Sequence, residues 1–469
     1  MRRRQQITVR PTDPGPVDGM TGEATIPGRR VIASPGAACP SHQQETNSRK
    51  LDMTAAYNRS LRLKALERVE ENKGAPGIDG MTTQELRPYL TEIWSTLRVA
   101  LFNGTYQPQP VRRVTLRKPD GGERLLGIPC VLDRWIQQCL KKVLEPLFEP
   151  QFSTFSFGFR PKRKAQEAVK LAQEYVKSGY HWVVDIDLKS FFDRINHDIL
   201  MARVARKVTD KVILRLIRSF LESGVMLSGV KVRTEEGAPQ GGPLSPLLAN
   251  ILLDDLDKEL EKRGLHFVRY ADDCNIYVKS RRAGLRVMES VTRFLETKLK
   301  LQVNADKSAV DEPWNRKFLG FTIIRKSFKL LPAPKSCQRF KTRVRELTNS
   351  RRSQSLKDRI KNLNQYVRGW YGYYRLSEIS NVFEELDGWI RRRLRACVWR
   401  TWKLIRTRIR ELLKLRLPKD AAIKIANTRK GPWRIAGSPP VQRALSNAHW
   451  KGLGLFSLSD GKRPLVNAR

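Results

Sequence analysis

The sequence predicts an α+β protein in which two β-strands end in acidic residues and a helical region follows. The run LHFVRYADDCNIYVKS has two β-rich arms around a short acidic tip at residues 270–273, as in a hairpin. Upstream, YHWVVDIDLKSFFDRINHD predicts a strand over residues 181–187, then a polar turn and a helix. Beyond Leu331 the apolar residues recur at helical spacing. The two acidic strand ends can therefore meet in one sheet.

Asp187, Asp272 and Asp273 form the candidate catalytic and metal-binding set. Asp is a common turn residue, and an Asp-rich turn alone is usually only a solvated turn. Two strand ends that both carry carboxylates are more specific, because anionic oxygens can bridge two Mg²⁺ ions about 3.5–4 Å apart. Asp185 shares the strand face of Asp187 and is expected to support it.

The charge of the chain indicates a polyanionic partner. Its 469 residues carry a formal net charge of +42, and they are enough for two or three domains. This excess is larger than an ordinary globular enzyme needs, and aromatic residues are interleaved with the arginines. A solvated surface or an acidic membrane would explain the charge alone, whereas nucleic acid also explains the aromatic residues.

Cysteine usage and hydropathy argue against other classes of protein. The six cysteines include no C-x-x-C pair, so neither a disulfide framework nor a zinc ribbon is indicated. No run of 18 apolar residues occurs, so we expect a reduced, cytoplasmic protein without a membrane span. The Arg-rich start is followed by Pro, Gly and acidic residues, so residues 1–51 are expected to be a disordered extension.

The chain before the first acidic strand predicts helices and a basic hairpin. Two helical patterns are separated by the Gly/Pro loop GAPGIDGMT. The run PQPVRRVTLRKPDGGERLLGIPCV alternates like a hairpin with an Asp-Gly-Gly turn. Its arms carry Arg113, Arg117, Lys118 and Arg124, which by themselves fit a charged sheet edge as well as a functional role. The next segment, SFGFRPKRKAQEAVKLAQEYV, predicts a turn containing Arg160 and then a helix.

The segment between the two acidic strands, EEGAPQGGPLSPLLANILLDDLDKELEKR, predicts a Gly/Pro-rich loop and then a helix. Leucines recur every four residues on this helix and indicate a buried face: Leu248, Leu252, Leu256 and Leu260. Asp254, Asp255 and Asp257 are expected to be acids on the helix surface. After the hairpin, a further helix leads to Lys307, and residues 317–323 are predicted to form a strand.

The last third is predicted to be helical and strongly basic. Two apolar stripes are more typical of core than of a binding surface: Leu356, Ile360, Leu363 and Val367, then Val398, Trp402, Ile405, Ile409 and Leu412. The opposite faces are dense in arginine, and we expect a groove for a nucleic-acid backbone there. These arginines are Arg391, Arg392, Arg393, Arg395, Arg400, Arg406, Arg408 and Arg410. A basic amphipathic helix can also mark a membrane surface or a calmodulin target.

The order of these blocks resembles that of group II intron-encoded reverse transcriptases and maturases. The resemblance is carried by GAPGIDG, GFRP, the strand of Asp187 with Phe192 five residues later, APQGGPLSP, YADD and FLGF. The run LNQYVRGWYGYYR is similar to their maturase domain, also called domain X, which forms the thumb. Residues 431–458 are similar to the DNA-binding region that follows it. The resemblance extends from about Ala55 to the C-terminus.

The resemblance implies a right-hand polymerase with a palm built on an antiparallel sheet. Fingers and palm would cover residues 52–330, a helical thumb or maturase domain 331–415, and a small basic DNA-binding region 416–469. It implies RNA-templated DNA synthesis with two Mg²⁺ ions, or Mn²⁺, held by the Asp residues and the backbone carbonyl of Leu188. It also implies that the protein binds its own intron RNA, assists splicing and makes cDNA by target-primed reverse transcription.

The resemblance also gives roles to single residues. Phe192 would exclude a 2′ hydroxyl from the incoming nucleotide, and Gln240 would lie beside the nascent base pair. Lys118 and Arg124 would grip the triphosphate, and Lys307 would be a candidate general acid for pyrophosphate. The remaining cations would contact nucleic acid: Arg113, Arg160, Arg391, Arg392, Arg393, Arg395 and Arg400.

Many proteins of this family end in an HNH endonuclease built from His and paired Cys. This sequence has five His and no C-x-x-C pair, so we expect no such endonuclease. A form similar to the bacterial class C proteins is therefore expected, acting at the nucleoid as a ribonucleoprotein. Its expected partners are intron RNA, an RNA template with a DNA primer, target DNA and dNTPs. Two alternatives stay open: an RNA-binding splicing factor without polymerase activity, and a domesticated reverse transcriptase of the retron, diversity-generating or defence type.

Overall fold

The computed structural model describes residues 51–117, 123–227, 230–232, 236–349 and 354–462. The extension expected over residues 1–51 lies outside this part of the chain, apart from Leu51, and so does Lys118. Among the described helices, none is both long enough and apolar enough to cross a membrane.

The first part of the fold consists of helices and one basic hairpin. Its elements are α1 (Met53–Ala56), α2 (Arg59–Asn72), α3 (Leu86–Asn103), β1 (Val111–Arg117), β2 (Glu123–Ile128), α4 (Val131–Phe148) and α5 (Ala165–Lys177). Asn58 caps α2, because its side chain accepts a hydrogen bond from the N–H of Leu61, and left-handed Gly104 ends α3. β1 and β2 pair antiparallel, which confirms the predicted hairpin arms. The predicted Asp-Gly-Gly turn lies outside the described residues.

The middle part is a four-stranded sheet with helices. Its elements are β3 (Trp182–Ile186), α6 (His197–Val204), α7 (Lys211–Leu221), β4 (Val225–Leu227), β5 (Val230–Val232), α8 (Ser245–Lys262), β6 (His266–Tyr270), β7 (Asp273–Val278), α9 (Arg281–Lys298), β8 (Ala309–Asp311), β9 (Phe321–Ile323) and β10 (Leu330–Pro332). The central sheet has the strand order β6-β7-β3-β8 and is antiparallel throughout. A second sheet, β2-β1-β4-β5, joins the basic hairpin to the segment after α7. The mixed sheet and helix content confirms the predicted α+β class.

The two faces of the central sheet have different surroundings. Val184 and Ile186 of β3 belong to the main core with α8 and α9. Val183 of β3 belongs to a smaller core with α5, β9 and β10. Since side chains alternate along a strand, Asp185 shares the face of Val183 and lies opposite the main core. All four predicted leucines of α8 are buried, which confirms that face of the helix.

The predicted strand over residues 317–323 is wrong in its first half. Only Phe321–Ile323 is a strand. Leu319 and Gly320 have φ values of 49° and 80°, so the backbone turns immediately before it. The hydroxyl of Tyr373 donates to the carbonyl of Leu319 at 3.0 Å, so this turn is also a contact with the helical region that follows.

The last part is helical. Its elements are α10 (Pro334–Leu347), α11 (Leu356–Tyr374), α12 (Ser380–Thr401), α13 (Ile405–Lys414), α14 (Lys419–Ala426), α15 (Pro432–Ile435), α16 (Pro439–Ala444) and α17 (Asn447–Gly452). The predicted stripe on α11 packs into the core of this region. The second predicted stripe is wrong as one helix face, because α12 ends at Thr401 and Ile405, which begins α13, is 47% exposed.

Candidate active site

The acidic tip is a two-residue turn between β6 and β7. Tyr270 pairs with Asp273, so Ala271 and Asp272 form the turn itself, within the acidic tip predicted over residues 270–273. β3 lies beside β7, and the last paired residues are Ile186 and Cys274. One further step of this antiparallel register takes β3 to Asp187 and β7 to Asp273. The structure therefore brings the two predicted strand ends together.

A cavity of about 980 Å³ opens in front of these strand ends. Asp185, Asp187 and Asp273 line it together with several cationic side chains: Lys307, Arg316, Lys317, Arg325 and Lys335. Burial raises the pKa of Asp273 to about 7, helped by the negative charges of Asp185, Asp272 and Asp187. The carboxylates therefore repel one another across the mouth of the cavity.

The carboxylates are close enough to interact electrostatically but do not converge on one point. Within the described residues, no three His, Cys, Asp or Glu side chains are grouped closely enough to enclose a metal ion. Asp187 instead faces Lys307, whose Nζ lies 3.8 Å from Asp187 Oδ2. The donors are all oxygens, which suits Mg²⁺ or Mn²⁺, and small side-chain rotations would be needed to gather them around an ion.

Asp185 is held by an arginine of the loop after β8. Its Oδ2 accepts hydrogen bonds from Arg316 Nε at 2.9 Å and from Nη2 at 2.5 Å. Arg316 Nη2 also donates to the carbonyl of Lys307 at 2.6 Å. Burial raises the pKa of Asp185, and the Arg316 contact opposes that rise. Asp185 thus ties the strand of Asp187 to the segment that carries Lys307.

The backbone at Asp187 is fixed by the segment before β8. The N–H of Asp187 donates to Ser308 Oγ at 3.0 Å, and its carbonyl accepts from the N–H of Asn304 at 2.8 Å. The N–H of Lys189 donates to the carbonyl of Gln302, so the residues flanking Leu188 make both bonds of this bridge. In such a bridge the N–H and C=O of the central residue point to the other side. The Leu188 carbonyl is therefore directed away from residues 302–304.

A second cavity, of about 290 Å³, lies beside the turn that follows β3. Three of the predicted nucleotide or template residues line it, namely Arg113, Phe192 and Gln240. The N–H of Ala238 donates to the carbonyl of Phe192 at 2.7 Å, which holds the Gly/Pro-rich loop against this turn. Gly127 of β2 donates to the Gln240 carbonyl at 3.0 Å, so the basic hairpin closes the same cavity.

The Gly/Pro-rich loop before α8 requires glycine at position 241. Its φ is +144°, and a Cβ at this position would lie 2.6 Å from the carbonyl oxygen of Gly127. Arg124 pairs with Leu116 in the hairpin, and its side chain, like Lys118, lies outside the described part of the chain.

The structure contradicts the expectation that Arg160 faces nucleic acid. Its side chain is only 5% exposed and forms an ion pair with Glu149 at 2.8 Å. The guanidinium also donates to the carbonyls of Ser153 and Ser156 at 2.5 and 2.8 Å. Arg160 therefore fixes the loop between α4 and α5 instead of offering an exposed positive charge.

The arginines of α12 mostly hold the C-terminal helices. Arg395 is buried, donates to the Ala436 carbonyl at 2.8 Å, and has its pKa lowered to about 10 by burial and by neighbouring arginines. Arg392 stacks over the Trp433 ring at 4.3 Å, and Arg393 donates to Thr348 Oγ1. The expectation of a nucleic-acid groove is contradicted for Arg395. Arg391 is half-buried and Arg400 is exposed, so those two remain candidates for nucleic-acid contact.

Sequence reasoning missed a buried ion pair behind the acidic turn. Asp257 was expected at the helix surface but is fully buried, and it pairs with Arg269 of β6, which is equally buried. Asp254 is also buried, whereas Asp255 binds Arg203 and Arg206 near the surface. A charged residue in the middle of the apolar strand HFVRY was the available signal, because such a residue needs a partner.

Comparisons with known proteins agree with this geometry. Residues 116–323 match the family described as reverse transcriptase (RNA-dependent DNA polymerase), and residues 337–415 match the group II intron maturase-specific domain. The chain is 32% identical to Protein YkfC of Escherichia coli (strain K12) over 333 residues, which is 59% of this chain and 87% of YkfC.

A second relative is a group II intron-encoded protein. The chain is 30% identical over 331 residues to the group II intron-encoded protein LtrA of Lactococcus lactis subsp. cremoris, covering 56% of this chain and 55% of LtrA. The chain thus spans about half the length of LtrA. The central antiparallel sheet, the helical region after it and these two successive domain matches identify the chain as a member of the group II intron-encoded reverse transcriptase and maturase family, with the right-hand fold.

Proposed function

We propose that this protein is an RNA-directed DNA polymerase whose catalytic carboxylates are Asp187, Asp272 and Asp273. The observation that carries the proposal is the pairing of β3 with the β6–β7 hairpin, which joins the strand ends bearing these residues. The raised pKa of Asp273 supports it, because a divalent cation would relieve the repulsion among the carboxylates.

Asp187, Asp272, Asp273 and the carbonyl of Leu188 would hold two Mg²⁺ ions, or Mn²⁺. When bound, such ions activate the primer 3′ hydroxyl and neutralise charge on the leaving pyrophosphate. Lys307 Nζ lies 3.8 Å from Asp187, and its side chain is 55% exposed and lines the cavity, so it can donate a proton to departing pyrophosphate.

The second cavity would hold the incoming nucleotide. Phe192 contributes an almost buried ring, which can exclude a 2′ hydroxyl by contact with the sugar. Gln240 would lie beside the base pair, and Arg113 would offer a positive charge to the template or nucleotide. Lys118 and Arg124 remain the proposed triphosphate contacts on the basic hairpin.

Phe192→Ala is expected to relax selection against ribonucleotides. Removing the ring opens the wall of the cavity, so the ratio of kcat/KM for dNTP over NTP should fall roughly 10–100-fold. Single-nucleotide incorporation with matched dNTP and NTP pairs measures this ratio. Phe192→Tyr keeps the ring and serves as the matched control. Unchanged rejection of NTPs by a folded Phe192→Ala protein would remove the steric role from this residue.

The helical region would serve RNA binding and splicing. We propose fingers and palm over residues 52–330, a thumb or maturase domain over 331–415, and a DNA-binding region over 416–469. The maturase-specific match supports binding of a group II intron RNA, and the high net positive charge suits it. Target-primed cDNA synthesis on that RNA, at the nucleoid of a bacterial cytoplasm, completes the proposal.

Extension of a DNA primer on an RNA template, with and without Mg²⁺, tests the proposal directly. Metal-dependent extension with dNTPs is expected, and a matched DNA template reports template preference. Tight template binding without extension at any Mg²⁺ or Mn²⁺ concentration would instead favour an RNA-binding splicing factor. Splicing of a cognate intron transcript, followed with and without the protein at low Mg²⁺, tests the maturase activity separately.

A further inference from the structure

We infer that Arg269 is a positioning residue for the acidic turn, and that it acts together with Asp257, Asn250 and Gly158. The inference rests on the proposed polymerase function. Arg269 lies in β6 and is fully buried. By strand alternation it shares the face of Phe267, which belongs to the main core with α8, whereas Asp185, Asp187 and Asp273 lie on the other face. Arg269 therefore approaches the turn from behind the sheet and has no access to the cavity.

The guanidinium of Arg269 divides its N–H groups between the helix and the turn. Nε and Nη2 donate to the two oxygens of Asp257 at 2.7 and 2.5 Å, a bidentate pair. Nη1 donates to Asn250 Oδ1 at 3.1 Å and to the carbonyl of Ala271 at 2.9 Å. Asp257 and Asn250 both belong to α8. One planar group thus fixes the distance between this helix and the first residue of the turn.

Gly158 holds the turn on the side of the α4–α5 loop. Asn250 Nδ2 donates to the Gly158 carbonyl at 2.9 Å, so the same network reaches this glycine. A Cβ at Gly158 would lie 2.1 Å from the nitrogen of Ala271. The loop and the turn are therefore in direct backbone contact, with no room for a side chain between them. The parallel bridge between Ser156 and Arg269 keeps the loop along the free edge of β6.

The turn needs such support because of its backbone conformation. Ala271 has φ +59°, a left-handed conformation that residues other than glycine rarely adopt without help from their surroundings. Asp272 follows immediately, so the orientation of its carboxylate depends on the dihedral angles of Ala271. If Arg269 only stabilised the fold through an ion pair, its bonds to Asp257 would be sufficient. The bond to the Ala271 carbonyl is what makes Arg269 a positioning residue.

Gly158→Ala tests the inference without removing any charge. The new Cβ must displace Ala271, so kcat for primer extension should fall about 10–100-fold and half-saturating Mg²⁺ should rise several-fold. The Kd for primer–template should stay within about twofold, because the substitution removes no positive charge. Gly369→Ala is the matched control, since a Cβ at this helical glycine meets nothing within 4 Å. A change in the Mg²⁺ requirement separates positioning from a general loss of stability.

A second variant removes the clamp and leaves no unpaired charge. Asp257→Leu combined with Arg269→Met replaces the buried pair by apolar side chains, which proteins often tolerate. We expect the same fall in kcat and rise in half-saturating Mg²⁺, with part of the rate restored by Ala271→Gly, because glycine adopts a left-handed conformation freely. Glu259→Leu with Arg263→Met is the control, since it removes an ion pair at the C-terminal end of the same helix, away from the turn.

The outcomes separate the inference from the proposed function. Wild-type protein that never extends a primer overturns both. A second outcome overturns the positioning role alone. In that outcome the wild type extends a primer, and the Gly158→Ala and Asp257→Leu/Arg269→Met proteins fold and keep the same kcat and Mg²⁺ dependence. If the double variant fails to fold, Gly158→Ala decides the question, because it keeps every charge in place.

Discussion

Replacing Asp187 or Asp272 with Asn should lower the rate of primer extension by about 10³-fold or more. Asn matches Asp in size but carries no negative charge, so it removes the attraction for divalent cations and leaves the packing almost intact. Single-turnover extension of a DNA primer on an RNA template, at saturating protein and dNTP, measures the loss. Primer–template affinity should change little, because a carboxylate does not attract a phosphate backbone.

Asp306→Asn is the matched control for this experiment. Asp306 lines the same cavity but lies on the loop before β8, outside the two paired strand ends. Its substitution should change the extension rate by no more than a few-fold. The loss of rate in Asp273→Asn should lie between that of Asp306→Asn and that of Asp187→Asn or Asp272→Asn. Near-normal extension by either Asp187→Asn or Asp272→Asn would refute the assignment of the catalytic carboxylates.

Local patterns were enough to predict the hairpin and the meeting of the strand ends. The β-rich arms around residues 270–273 predicted the two strands, whereas the length of the turn between Tyr270 and Asp273 comes from the structure. The grouping of Phe192 with Gln240 came from the family resemblance, since these residues are far apart in the chain. Neither periodicity nor turn chemistry brings such distant residues together.

The failed predictions about charged side chains concern residues whose partners belong to a different segment of the fold. Arg160 binds Glu149, Arg395 binds the Ala436 carbonyl, and Asp257 binds a strand residue twelve positions later. From composition alone such residues are assigned to the protein surface, because composition contains no information on burial. Burial makes an unpaired charge costly, so in this fold part of the arginine content joins elements together.

Asp387→Ala should lower the free energy of unfolding of the helical region by about 3 kcal/mol or more. Asp387 lies in α12, is 3% exposed, and accepts four hydrogen bonds from residues 457–459. The N–H groups of Leu458 and Ser459 donate at 2.9 Å each. Alanine leaves these donors buried or half-buried without their acceptor, so the segment should detach from α12.

Thermal unfolding and hydrogen exchange measure this effect. A loss of about 3 kcal/mol corresponds to a decrease in Tm of roughly 6–12 °C for a region of this size. The amide protons of Leu458 and Ser459 should exchange much faster, while those of β3 and β7 stay protected, because the hydrogen bonds described for Asp387 all come from residues 457–459. Asp420→Ala is the control, since Asp420 is an exposed residue in the first turn of α14. Equal Tm values and equal protection in the two variants would show that the Asp387 contacts do not hold the C-terminal segment.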